Sequence, residues 1–278
     1  MKIMNINNQF QLDFSKKTII MGILNVTPDS FSDGGKFNRL DDAVERAQRL
    51  VADGAGIIDI GGESTRPGHE PVSHEEESAR VVPVIERLVK TIDTPISIDT
   101  FKAKTAENAL QAGATIINDV WGAKADPEIT AVAKSFDAPI ILMHNQDDPD
   151  YDDIIEDMKK SLSESIEIAK KNGVSDEKII LDPGVGFGKT LEQNLLVMRR
   201  LGELKTMGYP ILLGTSRKSM IGKVLDLPVE ERLEGTIATV CSGIQQGVEI
   251  VRVHDVKEIN RAAKMMDAML GKGGVSFG

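Results

Sequence analysis

The chain has 278 residues, enough for one large α/β domain or two small ones, and carries 33 Lys and Arg against 43 Asp and Glu, a formal charge of −10. That acidity argues against nucleic acid or anionic membrane as a partner, and no run approaches the roughly 20 apolar residues of a membrane span. Hydrophobic residues make up 41% but aromatics only 4%, so the core is aliphatic; a single cysteine, Cys241, excludes an intrachain disulfide and, with no signal-like apolar start, points to the cytoplasm.

Residues 3–18 alternate weakly, and Asn7-Asn8 suits the turn of a short hairpin, read here as a cap under the fold. Residues 19–24 are an apolar run that ends at Asn25, followed by the turn-rich TPDSFSDGG. Asp42 and Glu45 have capping-box spacing, and the apolar stripe Val44, Ala47, Leu50 and Val51 predicts a helix that ends at Gly54. Residues 57–60 form a strand before the loop GGESTRPG. Ser73 and Glu76 cap the next helix, which Pro83 is expected to bend. Residues 95–98 predict a strand ending at Asp99, then an Ala-rich helix to about Gly113.

Residues 115–117 predict a strand ending at Asn118-Asp119, with Asp126-Pro127 starting a helix. Residues 140–143 are a strand before His144, and 151–172 an amphipathic helix. Residues 178–181 are a strand ending at Asp182, and Thr190 with Gln193 caps a helix to about Gly208. Residues 211–213 are a strand leading into GTSRKSMIG, with a helix over 230–246. Residues 250–253 are a strand carrying Arg252, followed by His254. Asp255 and Glu258 cap a last helix to about Leu270, and 271–278 reads as a loose tail. Cys241 falls on the stripe Ile237, Val240, Ile244 and reads as a packed core thiol.

Eight strand–helix units follow. Five helix-to-strand joints carry glycine (Gly54, Gly113, Gly173, Gly208, Gly247) and two carry Asp-x-Pro. The count matches a parallel (β/α)8 TIM barrel; a doubly wound open sheet is the alternative. In a closed barrel the residues after each strand converge on one face: Asn25, Thr65 and Arg66, Asp99, Asn118, Met143, Asp182, Arg217 and Lys218, Arg252 and His254. Any one of them could be a helix cap or turn residue. Asp255 and Thr190 are read as caps.

Two look-alikes fail. The stretch 184–190, GVGFGKT, resembles a phosphate-binding loop, but the position that should be Gly is Pro183. Gly61-Gly62 lacks the rest of a dinucleotide turn. The converging set instead suits a flat heterocycle with an amino-amidine edge, held by Asp99, Asn118 and Asp182. Arg252, His254 and Arg66 suit an anion such as a diphosphate. Asn25 is a neutral oxygen of the kind that accompanies Mg²⁺ bound mainly by phosphates and water.

At these residues the chain resembles a family. MGILNVTPDSFSDGG, DIGGESTRPG, SIDT, IINDV, LDPGVGFGKT, GTSRKS and RVHD, in this order across nearly the whole chain, are similar to the dihydropteroate synthases. The resemblance implies a (β/α)8 barrel, a homodimer and Mg²⁺. It implies condensation of 6-hydroxymethyl-7,8-dihydropterin diphosphate with p-aminobenzoate, a step of folate synthesis inhibited by sulfonamides. It places the pterin on Asp99, Asn118, Met143, Asp182, Phe187, Lys218 and Arg252. It places p-aminobenzoate on Phe31, Thr65, Pro67, Lys218 and Ser219. Diphosphate falls to Asn25, Arg66, Arg252 and His254, and the metal to Asn25. Asp33 and Arg66 sit on two mobile loops that close over the reaction and, with Lys218, Asp99 and Asp182, form the implied catalytic set. Pterin-binding methyltransferases share the barrel and the Asp/Asn pocket but have no need of TPDSFSDGG or SRKS. A non-enzymatic pterin-binding module is a third reading.

Overall fold

Apolar residues two apart along a strand share one face, and here they decide which face turns inward. The computed structural model describes residues 2–27, 36–63 and 72–274. An antiparallel hairpin, β1 (Ile3–Asn5) and β2 (Gln11–Asp13), precedes eight parallel strands: β3 (Ile19–Asn25), β4 (Ile57–Gly61), β5 (Ile96–Asp99), β6 (Ile116–Asp119), β7 (Ile140–Met143), β8 (Ile179–Asp182), β9 (Leu212–Leu213) and β10 (Ile250–Val253). They pair in the order β8-β7-β6-β5-β4-β3-β10-β9. A parallel bridge between Leu181 and Ile211 joins β8 to β9 and closes the barrel.

Ile57, Ile116, Ile141, Ile180, Leu212 and Ile250 point into the barrel and form one apolar cluster with Met4, Ile6, Leu12 and Phe14 of the hairpin segment. The hairpin is therefore the floor of the barrel. The side chain of Asn7 accepts from the backbone N–H groups of Gln9 and Phe10 and shapes its turn. The alternate strand residues, such as Ile58, Ile60, Ile98, Leu142 and Leu181, face the helices in a second, larger cluster. Fully burying such a side chain stabilises by about 1.5–3 kcal/mol.

The helices are α1 (Lys36–Ala52), α2 (His74–Leu88), α3 (Ala103–Gln111), α4 (Glu128–Ser135), α5 (Ile154–Lys171), α6 (Leu191–Arg200), α7 (Ser219–Leu225), α8 (Leu233–Gln245) and α9 (Val256–Met269). The capping box of Thr190 and Gln193 is fully formed, and Ser73 accepts from the Glu76 N–H. The five joint glycines all have positive φ, from +84° at Gly208 to +112° at Gly113, a region closed to most side chains.

Four local expectations are corrected. α1 starts at Lys36, so Asp42 and Glu45 lie inside it and cap nothing. The Asp126 carboxylate accepts from the Ala103 N–H and so caps α3, while α4 begins after Pro127 without a side-chain cap. α7 was not read from the sequence. The start of the tail is tied down, Lys272 donating to Thr18 and pairing with Asp267 at 3.2 Å. Cys241 is only half-buried, packed at the edge of the helix-facing core.

Candidate active site

The same period of two that builds the floor lifts polar side chains above it. Ile57 is followed on the inner face by Asp59 and Gly61, Ile116 by Asn118, Ile141 by Met143, Ile180 by Asp182, and Ile250 by Arg252. Strand register sets Asn25 beside Gly61, Gly61 beside Asp99, and Asp99 beside Asn118, a row across four strands. Met143 lies beside Asp182. Gly61 carries no side chain, and the Asn25 Oδ1 and an Asp99 oxygen approach from either side of that gap.

At the centre is Arg252. Its Nε donates to Asp59 Oδ2 at 2.6 Å and its Nη2 to Asp99 Oδ2 at 2.6 Å. Asn118 Nδ2 also donates to Asp59 Oδ2, at 3.2 Å. That bond commits the amide nitrogen to the protein and turns its carbonyl oxygen toward any ligand. Burial pushes the Asp99 carboxyl up to about 7, with Arg252 opposing and Asp59 adding to the shift. Asp99 Oδ1 is buried and has no partner among the described residues, which leaves an acceptor for an outside donor. Asp59 Oδ1 and Ser97 Oγ, beside it in the barrel, are in the same condition.

Asp182 Oδ1 accepts from the Gly184 N–H at 2.7 Å. Burial raises its pKa, while Lys218 pulls it down. The Lys218 ammonium donates to the Val185 carbonyl and lies 4.6 Å from the centre of the Phe187 ring. Burial draws it down to about 8. A lysine so tuned can serve in imine chemistry, but here the ammonium is engaged and no carbonyl substrate is implied. Borohydride in the presence of substrates is therefore expected to leave Lys218 unmodified, and a mass adduct on its peptide would contradict that assignment.

His254 donates its backbone N–H to Ser216 Oγ at 3.1 Å, and its Nδ1 lies 2.9 Å from the same hydroxyl. With the hydroxyl proton directed at Nδ1, the ring carries its own proton on Nε2, a donor for an anion. Burial lowers the pKa of His254 to about 4, so the ring is neutral near pH 7. Asp255 is not the cap that its spacing suggests. Its carboxylate takes a bidentate pair from Arg217, Nε to Oδ2 at 2.9 Å and Nη2 to Oδ1 at 2.5 Å, and caps no helix N–H.

The barrel mouth thus gathers Asn25, Asp99, Asn118, Met143, Asp182, Lys218, Arg252 and His254, with Phe187 on the β8 loop and Ser219 exposed at the first position of α7. Phe31, Asp33, Thr65, Arg66 and Pro67 lie outside the described residues. Sequence reasoning missed Asp59, Ser216 and Lys189. A charged residue inside an apolar strand, two places after a floor isoleucine, was the signal for Asp59. No comparable signal marks Ser216, whose role rests on a partner 38 positions away.

The arrangement offers carboxylate and carboxamide acceptors on one side and guanidinium, ammonium and imidazole donors on the other. No cluster of three or more His, Cys, Asp or Glu residues suited to a metal occurs among the described residues. No helix is long and apolar enough to cross a membrane among them either.

The pterin-binding enzyme family matches residues 21–254. The dihydropteroate synthase of Bacillus subtilis (strain 168) is 60% identical, with 96% of this chain and 94% of that one covered. A crystal structure of the dihydropteroate synthase of Clostridium difficile, in the presence of pteroic acid, superposes with a TM-score of 0.91 at 59% identity, covering 93% of this chain and 98% of that one. A Yersinia pestis dihydropteroate synthase in complex with a sulfonamide drug gives a TM-score of 0.88 at 43% identity, covering 95% and 97%.

Proposed function

The chain belongs to the pterin-binding enzyme family, among the dihydropteroate synthases, and from that membership we infer that it condenses 6-hydroxymethyl-7,8-dihydropterin diphosphate with p-aminobenzoate. The products are 7,8-dihydropteroate and diphosphate, in folate synthesis; sulfonamides, which share the arylamine of p-aminobenzoate, compete for its place. The observation that carries this reading is the pair of buried carboxylates, Asp99 and Asp182, set on the inner face of the barrel with Asn118 and backed by Arg252 and Lys218.

In this reading the amino-amidine edge of the pterin donates to Asp182, and the rest of the ring meets Asp99 and the carbonyl of Asn118. Met143 and Phe187 wall the pocket, and Arg252, fixed by Asp59 and Asp99, lies over a ring face. The bond between the methylene carbon and the diphosphate oxygen breaks, and the electron pair leaves with diphosphate. The methylene cation is delocalised over the ring beside Asp99 and Asp182, carboxyl groups already held in position by Arg252 and the Gly184 N–H, so that little reorganisation is needed. The arylamine lone pair then closes the new C–N bond, and the amine gives up a proton to solvent.

Arg252 and the Nε2–H of His254 receive the leaving diphosphate, together with Arg66. Phe31, Thr65, Pro67, Lys218 and Ser219 receive p-aminobenzoate, and Asp33 and Arg66 complete the catalytic set. Mg²⁺ fits this donor set: Asn25 supplies a single neutral oxygen beside Asp99, so the substrate phosphates and water would complete the shell. When bound, the ion neutralises charge on the departing diphosphate. We further place the enzyme in the cytoplasm, as a homodimer; its single cysteine suits a reducing compartment.

The test is diphosphate release. It is expected only when both the pterin diphosphate and p-aminobenzoate are present, one diphosphate per dihydropteroate formed. Methyl transfer from a reduced methylfolate to a cobalamin protein, without diphosphate release, would replace this reading.

A further inference from the structure

The look-alike phosphate loop acquires a different meaning in the fold. Its lysine, Lys189, turns back on its own loop. The ammonium meets His144 Nδ1 at 2.9 Å, the Gly184 carbonyl at 3.0 Å and the Phe187 carbonyl at 3.0 Å. Burial draws this amine down to about 7, and in its protonated form three protons meet three acceptors. A neutral imidazole nitrogen can accept there only if the ring proton sits on Nε2.

The turn has other anchors, the Gly186 N–H donating to Asn194 Oδ1 at 2.6 Å, the Tyr151 hydroxyl to the Gly188 carbonyl at 2.7 Å and Lys218 to the Val185 carbonyl, but among the described residues only the Lys189 amine joins Gly184, Phe187 and the His144 ring at one point. Gly184, Gly186 and Gly188 all have positive φ, +64°, +89° and +53°, and three glycines in five residues carry a large conformational entropy when free. Close approach requires those glycines as well: a Cβ on Gly184 would strike the His144 carbonyl, and one on Gly188 the Gln146 carbonyl. The turn in turn sets the pterin-facing groups. The Gly184 N–H fixes Asp182 Oδ1 at 2.7 Å, and the His144 N–H donates to the Asp182 carbonyl at 2.9 Å. Phe187 is one of the two residues whose carbonyls the ammonium grips.

We propose that Lys189 is a positioning residue for the pterin pocket, a buried amine that clamps the Gly184–Gly188 turn to His144 and thereby sets Asp182 and Phe187. It touches no substrate. The proposal rests on the reading of Asp182 and Phe187 as pterin contacts.

Lys189→Met keeps the length of the stem and removes all three donors. A pterin analogue titrated by calorimetry is expected to bind this variant at least tenfold more weakly than wild type. The KM for the pterin diphosphate should rise in parallel, with the KM for p-aminobenzoate within twofold and the far-ultraviolet circular dichroism unchanged. Lys189→Arg keeps the charge but replaces a compact ammonium by a planar fork, and should show an intermediate loss.

The wild-type protein supplies a readout that needs no variant to fold. Imidazole ¹⁵N spectra, assigned with His144→Gln, should show Nε2 of His144 protonated and Nδ1 bare. A proton on Nδ1, or a folded Lys189→Met that binds the analogue within twofold of wild type, would overturn the proposal. Asp182→Asn is the control. If it loses the analogue while Lys189→Met keeps it, the clamp alone is wrong; if both keep it, the pterin assignment of Asp182 falls and the clamp with it.

Discussion

Asp182→Asn is expected to bind a pterin roughly a hundredfold more weakly than wild type, or worse, while keeping its fold. One carboxylate oxygen is occupied by the Gly184 N–H at 2.7 Å. In the variant the amide oxygen satisfies that donor, because the alternative orientation sets N–H against N–H. The amide nitrogen is then forced toward the ligand, where its own hydrogens oppose the ring's donors. A hydrogen bond to a charged group contributes about 1.5–3 kcal/mol, and each 1.4 kcal/mol is about tenfold in affinity. Losing the charge and meeting a repelling donor together account for two decades. The fold survives because an amide is easier to bury than a carboxylate whose pKa burial already raises. Titration calorimetry with a pterin analogue decides the point, and less than a threefold loss would contradict it.

Arg252→Met is expected to be inactive and also destabilised, by roughly 3–5 kcal/mol at pH 8, because it strands two buried carboxylates. Asp59 is wholly buried and Asp99 nearly so, and both depend on this guanidinium at 2.6 Å. The deficit should depend on pH in a defined sense. The Asp99 carboxyl is pushed up to about 7 in the folded protein, above its ordinary value of 3.8. A group with a raised folded-state pKa binds its proton more tightly when folded. Its stabilising contribution is complete below about pH 4 and is lost as the pH rises through about 7. Removing Arg252 raises that pKa further, so the variant regains a proton, and with it stability, on acidification. Urea unfolding at pH 5 and pH 8 should show the smaller deficit at pH 5. A larger deficit at pH 5 would mean that the guanidinium is not what neutralises these carboxylates.

How far the sequence was legible follows from the range over which each signal acts. Barrel strands could be read because the apolar run, the polar residue at its end and the joint glycine lie within a few residues of each other. The end residues Asp99, Asn118 and Asp182 were legible for the same reason. Asp59 was hidden because Ile57, Ile58 and Ile60 made the run look uniformly apolar; only the inner-face parity set by Ile57 marks it out. Helix α7 escaped because seven residues containing Gly222 and Lys223 give no sustained stripe. Local spacing also misled. Asp42 and Glu45 have the capping pattern yet sit inside α1, and Asp255 has it yet binds Arg217, 38 positions away. Lys189 was set aside with the failed phosphate-loop motif, since its partner His144 lies 45 positions back in the chain.

The central claim is that a pterin is held at the barrel mouth between the carboxylates and Arg252. A crystal structure of this protein soaked with pteroic acid tests it most directly. The account predicts the pterin ring beside Met143 and Arg252, its amino edge within hydrogen-bond distance of Asp182, and Asp99 Oδ1 and Asn118 Oδ1 both accepting from the ring. A pterin bound outside the barrel mouth, or one whose amino edge faces away from Asp182, would contradict it.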